Sequence, residues 1–251
     1  MSQSITSPWP YPRWIAHRGA GTLAPENTLA AFRTGAEHGY RMFECDAKLS
    51  RDGVVFLMHD ATLDRTTNGQ GVAGEQTWHQ LSQWDAGSWH SKTFSGEPLP
   101  TLANIAQFCM GQGFFLNIEI KPTPETEFKT GEAVAQLAAK LWQHADVPPL
   151  LSSFQIESLV AAKKVAPHLP RGLLLHQLNE AWLQNALELQ CQAVICQHSL
   201  WTAERVQAVH QAGMKCLSYT VNDASTAEHL LRLNTDGLIT VCIQTQQMFS
   251  R

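Results

Sequence analysis

The chain has 251 residues, of which 44% are hydrophobic and 16% are charged, and this balance excludes an intrinsically disordered protein. Its formal net charge is −4 and its basic residues form no cluster, so we expect no nucleic-acid partner. No stretch approaches the ~20 apolar residues of a membrane span, which argues against stable membrane association.

Residues 1–13 are polar and rich in proline, without the pattern of a secretion signal. Four of the six cysteines lie in apolar, strand-like runs and none belongs to a Cys-x-x-Cys pair, which is typical of buried, reduced thiols. Reduced thiols fit a reducing compartment, so we expect a cytoplasmic protein.

Short apolar runs alternate with segments of helical periodicity along the chain. The barrel-strand candidates are residues 14–17, 42–47, 114–120, 150–154, 172–175, 193–196, 214–221 and 237–241. Such alternation is typical of parallel strands joined by crossover helices. Eight units in a chain of roughly 250 residues favour an α/β fold of the closed (β/α)8, or TIM-barrel, type over an open sheet.

One segment between the second and third barrel strands interrupts this alternation. Residues 54–59 indicate a further strand, and residues of about 61–100 are rich in glycine and tryptophan. A loop of this length is either functional or disordered, and its aromatic content favours an ordered insertion over one end of the barrel. We therefore expect one domain, residues 1–251, with an insertion at about 61–100.

Polar side chains stand on strands that should be apolar. On the third barrel strand Asn117, Glu119 and Lys121 share one face, which must point into the barrel because the apolar residues between them face the helices. Glu44 and Asp46 share a face of the second strand in the same way. Three converging carboxylates are typical ligands of a hard divalent cation, Mg²⁺ or Ca²⁺, whereas no spacing indicates zinc.

Two of the eleven histidines end apolar strands, where the chemistry of barrel enzymes is located. His17 ends the first strand, beside Arg18, and His59 ends the run of residues 54–59. A pair of imidazoles can act as general base and general acid near neutral pH. Position alone leaves catalysis and an ordinary structural role equally open for these two, and we expect the other nine on the surface or hydrogen-bonded.

A series of short motifs then extends along nearly the whole chain. They are HRG at 17–19, PENT at 25–28, ECD at 44–46, DG at 52–53, HD at 59–60, RTTNG at 65–69, GEPLPTL at 96–102, NIEIK at 117–121, YTVN at 219–222 and DGLIT at 236–240. In this order the chain resembles the glycerophosphodiester phosphodiesterase family, especially its small cytoplasmic bacterial members.

The resemblance implies a TIM barrel that hydrolyses glycerophosphodiesters, such as glycerophosphocholine and glycerophosphoethanolamine, to sn-glycerol 3-phosphate and an alcohol. By matching motifs, it implies metal ligands at Glu44, Asp46 and Glu119, a catalytic pair at His17 and His59, and phosphate-binding residues at Arg18 and Lys121. It also implies one divalent cation as cofactor and a small-molecule substrate as partner. We assign His17 as base and His59 as acid, although the sequence does not order the two histidines. The glycerol 2-hydroxyl is a candidate nucleophile, and the sequence does not decide whether a cyclic phosphate forms.

Two positions depart from the family pattern. Val241 follows Thr240 where the family often has aspartate, and Tyr219 stands where it often has tryptophan, on a wall that would face the glycerol. Two alternatives stay open: a phospholipase-type phosphodiesterase acting on lipids, and a non-catalytic barrel that binds polyol phosphates. The sequence gives no prediction of the oligomeric state, the preferred alcohol or the choice between Mg²⁺ and Ca²⁺.

Overall fold

Eight parallel strands form a closed ring in the computed structural model, which describes residues 9–242. In chain order, the strands are β1 (Trp14–Ala16), β2 (Met42–Leu49), β3 (Val55–Leu57), β4 (Phe115–Ile120), β5 (Leu150–Ser153), β6 (Arg171–Leu175), β7 (Ala193–Gln197), β8 (Lys215–Tyr219) and β9 (Gly237–Thr240). β1 pairs with both β2 and β9, which closes the ring, while β3 lies outside it, antiparallel to β2. The predicted (β/α)8 barrel is therefore confirmed.

Helices lie between the strands, and several have the ends that the sequence predicts. They are α1 (Leu29–Glu37), α2 (Trp78–Leu81), α3 (Leu102–Gln112), α4 (Glu127–Leu141), α5 (Ile156–Val165), α6 (Trp182–Glu188), α7 (Ala203–Gln211) and α8 (Ala224–Arg232). The Thr202 hydroxyl accepts a hydrogen bond from the Arg205 amide and so caps α7. Gly39 follows α1 with a φ of 90°, the left-handed conformation in which glycine commonly ends a helix.

Strand β2 shows how alternation separates the core from the site. Phe43 and Cys45 face outward and pack with Phe32 of α1 in the layer between strands and helices. Met42 faces inward and packs with Leu150 and other apolar side chains that fill one end of the barrel. Further along the same inward face the side chains become charged, so the C-terminal half of the barrel holds polar groups where the other half is apolar.

The segment between β3 and β4 forms a small core together with β3. Phe56, Met58 and Leu81 are buried in it, and Trp78 and Trp84 pack against its edge. The segment also contacts the loop after β1 and the start of α1. His90 Nε2 lies 2.9 Å from the Thr22 carbonyl oxygen, and the Glu97 carboxylate accepts a hydrogen bond of 2.9 Å from the Ala30 amide. It is thus ordered and lies beside the C-terminal end of the barrel.

Two further expectations concern the environment of the protein. Among the described residues, no helix is long and apolar enough to cross a membrane. All six cysteines are free, and five of them are buried. Residues 1–8, which belong to the proline-rich start of the chain, lie outside the described residues.

Candidate active site

A cavity of about 490 Å³ opens at the C-terminal end of the barrel. Of the predicted site residues, His17, Arg18, Glu44, His59, Glu119, Lys121 and Tyr219 line it. Asp46 is buried beside Glu44 and Glu119. The fold therefore brings together at one opening all the side chains that the sequence analysis selected.

The three carboxylates form a compact, buried cluster. Asp46 of β2 stands opposite Glu119 of β4 in the parallel register. One carboxylate oxygen from each of Glu44, Asp46 and Glu119 lies within 4.8 Å of the others. Glu44 Oε1 and Asp46 Oδ1 are buried without a hydrogen-bond partner, which is costly unless another group binds there.

The pKa values of the three carboxyl groups depart strongly from those of free side chains. Burial, together with the charges of Asp46 and Glu119, holds the pKa of Glu44 well above its usual range. Burial and the Asp46 charge raise the pKa of Glu119 to about 7. For Asp46 burial acts in the same direction, but the charges of Arg18 and Lys121 outweigh it and lower the pKa. Buried carboxylates with unpaired oxygens and mutual repulsion fit a divalent cation with oxygen ligands.

His17 lies directly after β1, where its amide donates a 2.9 Å hydrogen bond to the Thr240 carbonyl of β9. Its Nε2 lies 3.7 Å from Glu44 Oε2, and its Nδ1 is buried without a partner. Burial, followed by the Arg18 charge, lowers the pKa of His17 to about 3. The imidazole is therefore neutral at physiological pH.

His59 lies two residues after β3, which is shorter than the strand expected over residues 54–59. Its Nδ1 lies 2.7 Å from Asp60 Oδ1, so the carboxylate fixes one edge of the ring and leaves Nε2 for another contact. Burial lowers the pKa of His59, while the charge of Asp46 and the bond to Asp60 act in the opposite direction. The two histidines thus have different electrostatic environments.

The two cations are held against the carboxylates. Arg18 Nε lies 3.3 Å from Asp46 Oδ2, and Arg18 Nη1 donates a 2.8 Å hydrogen bond to Glu26. Lys121 Nζ donates a 2.7 Å hydrogen bond to Glu119 and lies 3.6 Å from Asp46 Oδ1. Burial opposes both charges, but these carboxylates raise the pKa values of Arg18 and Lys121, so both side chains stay cationic.

The backbone at Arg18 is held by a close packing contact. Gly19 has a φ of 99°, and a Cβ atom there would lie only 2.7 Å from the Cβ of Ala31 in α1. Only glycine allows this approach of the β1–α1 loop to the helix. The sequence His17-Arg18-Gly19 therefore has a steric reason: the glycine lets the loop present the two preceding side chains.

An aromatic wall completes the opening. The rings of Phe154 and Tyr219 meet edge to face at 5.7 Å, and Lys121 Nζ lies 5.6 Å from the Phe154 ring centre. The Tyr219 hydroxyl donates a 3.1 Å hydrogen bond to the Leu175 carbonyl, which fixes the ring. His176, expected on the surface, is exposed and also lines the opening.

Several residues at the site are not among those predicted from the sequence. Asn27 belongs to the PENT motif, and its side chain donates a 2.8 Å hydrogen bond to Asp46 and accepts one of 3.0 Å from the Asp46 amide. Lys48 continues the inward face of β2, and its Nζ donates to the Lys121 carbonyl oxygen at 3.2 Å. Strand alternation could have located Lys48, and Phe154 ends a predicted strand. At the departure from the family pattern, the Val241 amide donates a 3.2 Å hydrogen bond to the Asn222 side chain.

Comparison with known proteins gives one consistent result. Residues 17–243 match the model of the glycerophosphoryl diester phosphodiesterase family. A glycerophosphodiester phosphodiesterase of Caldanaerobacter subterraneus is 34% identical over 90% of this chain and 92% of its own length. Among solved structures, an Oleispira antarctica phosphodiesterase in complex with the product sn-glycerol 3-phosphate has a TM-score of 0.89 and 32% identity, covering 96% of this chain and 98% of its own. A glycerophosphodiester phosphodiesterase of Agrobacterium tumefaciens has a TM-score of 0.78 and 26% identity, covering 93% and 97% of the two chains.

Proposed function

The chain belongs to the glycerophosphoryl diester phosphodiesterase family, and from this premise we propose that it hydrolyses glycerophosphocholine, glycerophosphoethanolamine and similar diesters to sn-glycerol 3-phosphate and an alcohol. The protein is a phosphodiesterase, and its proposed catalytic groups are His17 and His59. One observation carries the proposal: two histidines, two cations and three carboxylates meet at one opening of the barrel. This set of groups suits a phosphodiester, which is an anion that needs charge stabilisation and proton transfer.

Glu44, Asp46 and Glu119 would hold one divalent cation, Mg²⁺ or Ca²⁺. The fit rests on their oxygen-only donor set and on the two buried carboxylate oxygens without a hydrogen-bond partner. A bound cation would supply Lewis-acid stabilisation of the charge on a phosphate oxygen.

Arg18 and Lys121 would bind the phosphate from the side of the cation site. The guanidinium of Arg18 offers two parallel donors to phosphate oxygens, whereas the ammonium of Lys121 acts as a compact charge. Both are already oriented by carboxylates, so little ordering is needed when the substrate binds. Tyr219 would form part of the wall against the glycerol moiety.

His17 would act as the base and His59 as the acid. The lowered pKa of His17, caused by burial and by Arg18, keeps its imidazole in the neutral form that a general base needs. His59 is oriented by Asp60, and a bound phosphate anion would favour its protonated form. His17 would remove the proton of the glycerol 2-hydroxyl, whose oxygen attacks phosphorus. The bond from phosphorus to the alcohol oxygen breaks, and this oxygen takes the proton of His59.

The product of that step is a cyclic phosphate, which water opens to sn-glycerol 3-phosphate. The cyclic intermediate makes the 2-hydroxyl essential. A diester of 2-deoxyglycerol should therefore bind without turnover, and its normal hydrolysis would exclude this version of the mechanism. Reduced, buried cysteines favour a cytoplasmic location for the reaction.

The test of the function is release of glycerol 3-phosphate from glycerophosphocholine by purified protein, with and without EDTA, followed by addition of Ca²⁺ or Mg²⁺. We expect EDTA to abolish release and one of the two cations to restore it. No release with either cation would contradict the proposal. A parallel incubation with choline phospholipid vesicles distinguishes a lipid phosphodiesterase, which would act on the vesicles in preference.

A further inference from the structure

Arg65 lies at the start of the inserted segment, outside the cavity, yet it connects two of the proposed site residues. We propose that Arg65 is a positioning residue that orients His59 through Asp60 and Arg18 through Glu26. This inference rests on the proposed function, because it assigns a task to Arg65 in that same reaction. Arg65 contacts no reacting atom. It belongs to the RTTNG motif, which contains none of the predicted metal-binding, catalytic or phosphate-binding residues.

Four hydrogen bonds carry the inference. Arg65 Nε and Nη2 donate to the two oxygens of Asp60 at 2.6 and 2.9 Å. Arg65 Nη1 and Nη2 donate to the two oxygens of Glu26 at 2.8 and 2.7 Å. The planar guanidinium thus binds two carboxylates, each through two bonds, and fixes their relative orientation.

The Asp60 side of this arrangement leads to the proposed acid. Asp60 Oδ1, which accepts one bond from Arg65, also lies 2.7 Å from His59 Nδ1. The hydrogen bonds from Arg65 are the largest influence that holds the pKa of Asp60 below its usual range. An ionised, fixed Asp60 sets the tautomer and the ring orientation of His59, as carboxylates do for histidines in other sites. Loss of Arg65 should therefore lower kcat.

The Glu26 side leads to the proposed phosphate ligand. Glu26 Oε1 accepts hydrogen bonds from both Arg65 and Arg18, each at 2.7–2.8 Å. Arg18 is also 3.3 Å from Asp46 and therefore lies between two carboxylates. Without Arg65, the Glu26 carboxylate loses two of its hydrogen bonds and can adopt more than one orientation. Arg18 is then held less firmly, and substrate binding should weaken. Loss of Arg65 should therefore raise KM as well.

The first experiment compares Arg65→Ala, Arg65→Lys and the wild type in hydrolysis of glycerophosphocholine. We expect Arg65→Ala to lower kcat by roughly 10- to 100-fold, the effect typical of removing a residue that orients a site residue, and to raise KM. Arg65→Lys keeps the charge but cannot bind both carboxylates in pairs, so it should recover only part of the loss. Added methylguanidinium, at a concentration that leaves the thermal unfolding midpoint unchanged, should restore part of kcat to Arg65→Ala.

The matched control is Arg51→Ala, which removes an exposed arginine from the turn between β2 and β3. It should leave kcat, KM and the response to methylguanidinium as in the wild type. A purely structural Arg65 would instead lower the thermal unfolding midpoint without a rescue of kcat by methylguanidinium, and that result would overturn the inference.

Double-variant cycles then separate the two sides. If Arg65 acts through Asp60, adding Arg65→Ala to Asp60→Asn should cause no further fall in kcat. If it acts through Glu26, adding it to Glu26→Gln should cause no further rise in KM. Fully additive effects in both cycles, or an Arg65→Ala variant with wild-type kcat and KM, would overturn the inference. The wild type separates the two proposals, because a failed proposed function leaves the wild type itself without turnover.

Discussion

Charged side chains lie at both ends of the barrel, but their hydrogen bonding differs between the two ends. At the N-terminal end of the strands, Asp236 accepts hydrogen bonds from the Lys215 ammonium and the Cys216 amide and lies 2.8 Å from His210 Nε2. Arg171 is buried there and donates to four backbone carbonyls. At the C-terminal end, Glu44 and Asp46 each keep a buried oxygen without a hydrogen-bond partner.

This difference in hydrogen bonding distinguishes charged groups that stabilise the fold from charged groups that form the proposed active site. His210, Cys216 and Asp236 lie as close together as the three carboxylates do, within 4.8 Å. Proximity of ligand-type side chains therefore does not by itself identify a site. Asp236 is hydrogen-bonded to its neighbours within the protein. Glu44, Asp46 and Glu119 lie close enough to repel one another, and Arg18 and Lys121 offset only part of this repulsion.

The largest predicted effect concerns the two histidines at the C-terminal end of the barrel. His17→Ala and His59→Ala should each reduce kcat for glycerophosphocholine by about 10²–10⁴-fold, because each removes a proton-transfer group. His38→Ala, on the exposed end of α1, is the matched control and should keep full activity. Wild-type turnover by either site variant would exclude the proposed pair.

The second prediction concerns Asp236, at the N-terminal end of the strands. Asp236→Asn should lower the free energy of unfolding by about 1–2 kcal/mol, because the charge is lost and one accepting oxygen is replaced by an NH2 group that cannot accept, with kcat unchanged. Burial alone would raise the pKa of Asp236, but the Cys216 amide, His210 and Lys215 lower it below its usual value.

This depressed pKa sets the pH dependence of that loss. The stabilisation by Asp236 is fully present above the unfolded-state pKa of about 3.9, and it disappears as the pH falls through the lower folded-state value. Denaturant unfolding of wild type and variant as a function of pH should therefore converge in acid. A difference that stays constant down to that range would contradict the role of the charge.

The smallest predicted effect has the opposite sign. The pKa of Glu44 is raised, so its charge opposes folding above the ordinary glutamate pKa of about 4.3 when no cation is bound. In metal-free protein Glu44→Gln should raise the free energy of unfolding at neutral pH by about 1 kcal/mol, the order of a common single substitution. A decrease like that of Asp236→Asn would mean that the two ends do not differ.

Much of this organisation follows from local sequence patterns, and the remainder does not. Period-two alternation located the inward faces of β2 and β4, and the caps at Thr202 and Gly39 marked helix ends. In contrast, α6 has no side-chain cap to announce its start, and β3 is shorter than its apolar run. The division into one domain with an insertion at about 61–100 stays a prediction.

The network around Arg65 shows why a motif alone was insufficient. Arg65 and Glu26 are separated by 39 residues and belong to different loops, so no periodicity relates them. Only the closed barrel places the loop after β1 beside the loop after β3. The motifs identified which residues matter, and the tertiary structure supplied the contacts that explain two of them.

Calorimetric titration of the metal-stripped protein with Ca²⁺ and with Mg²⁺ tests the central claim most directly, namely that the unsatisfied carboxylates form the binding site. Wild type and Asp236→Asn should each bind one cation per chain, and Glu44→Gln should lose this binding. Binding that survives Glu44→Gln but disappears in Asp236→Asn would contradict the account, because it would place the cation at the opposite end of the barrel.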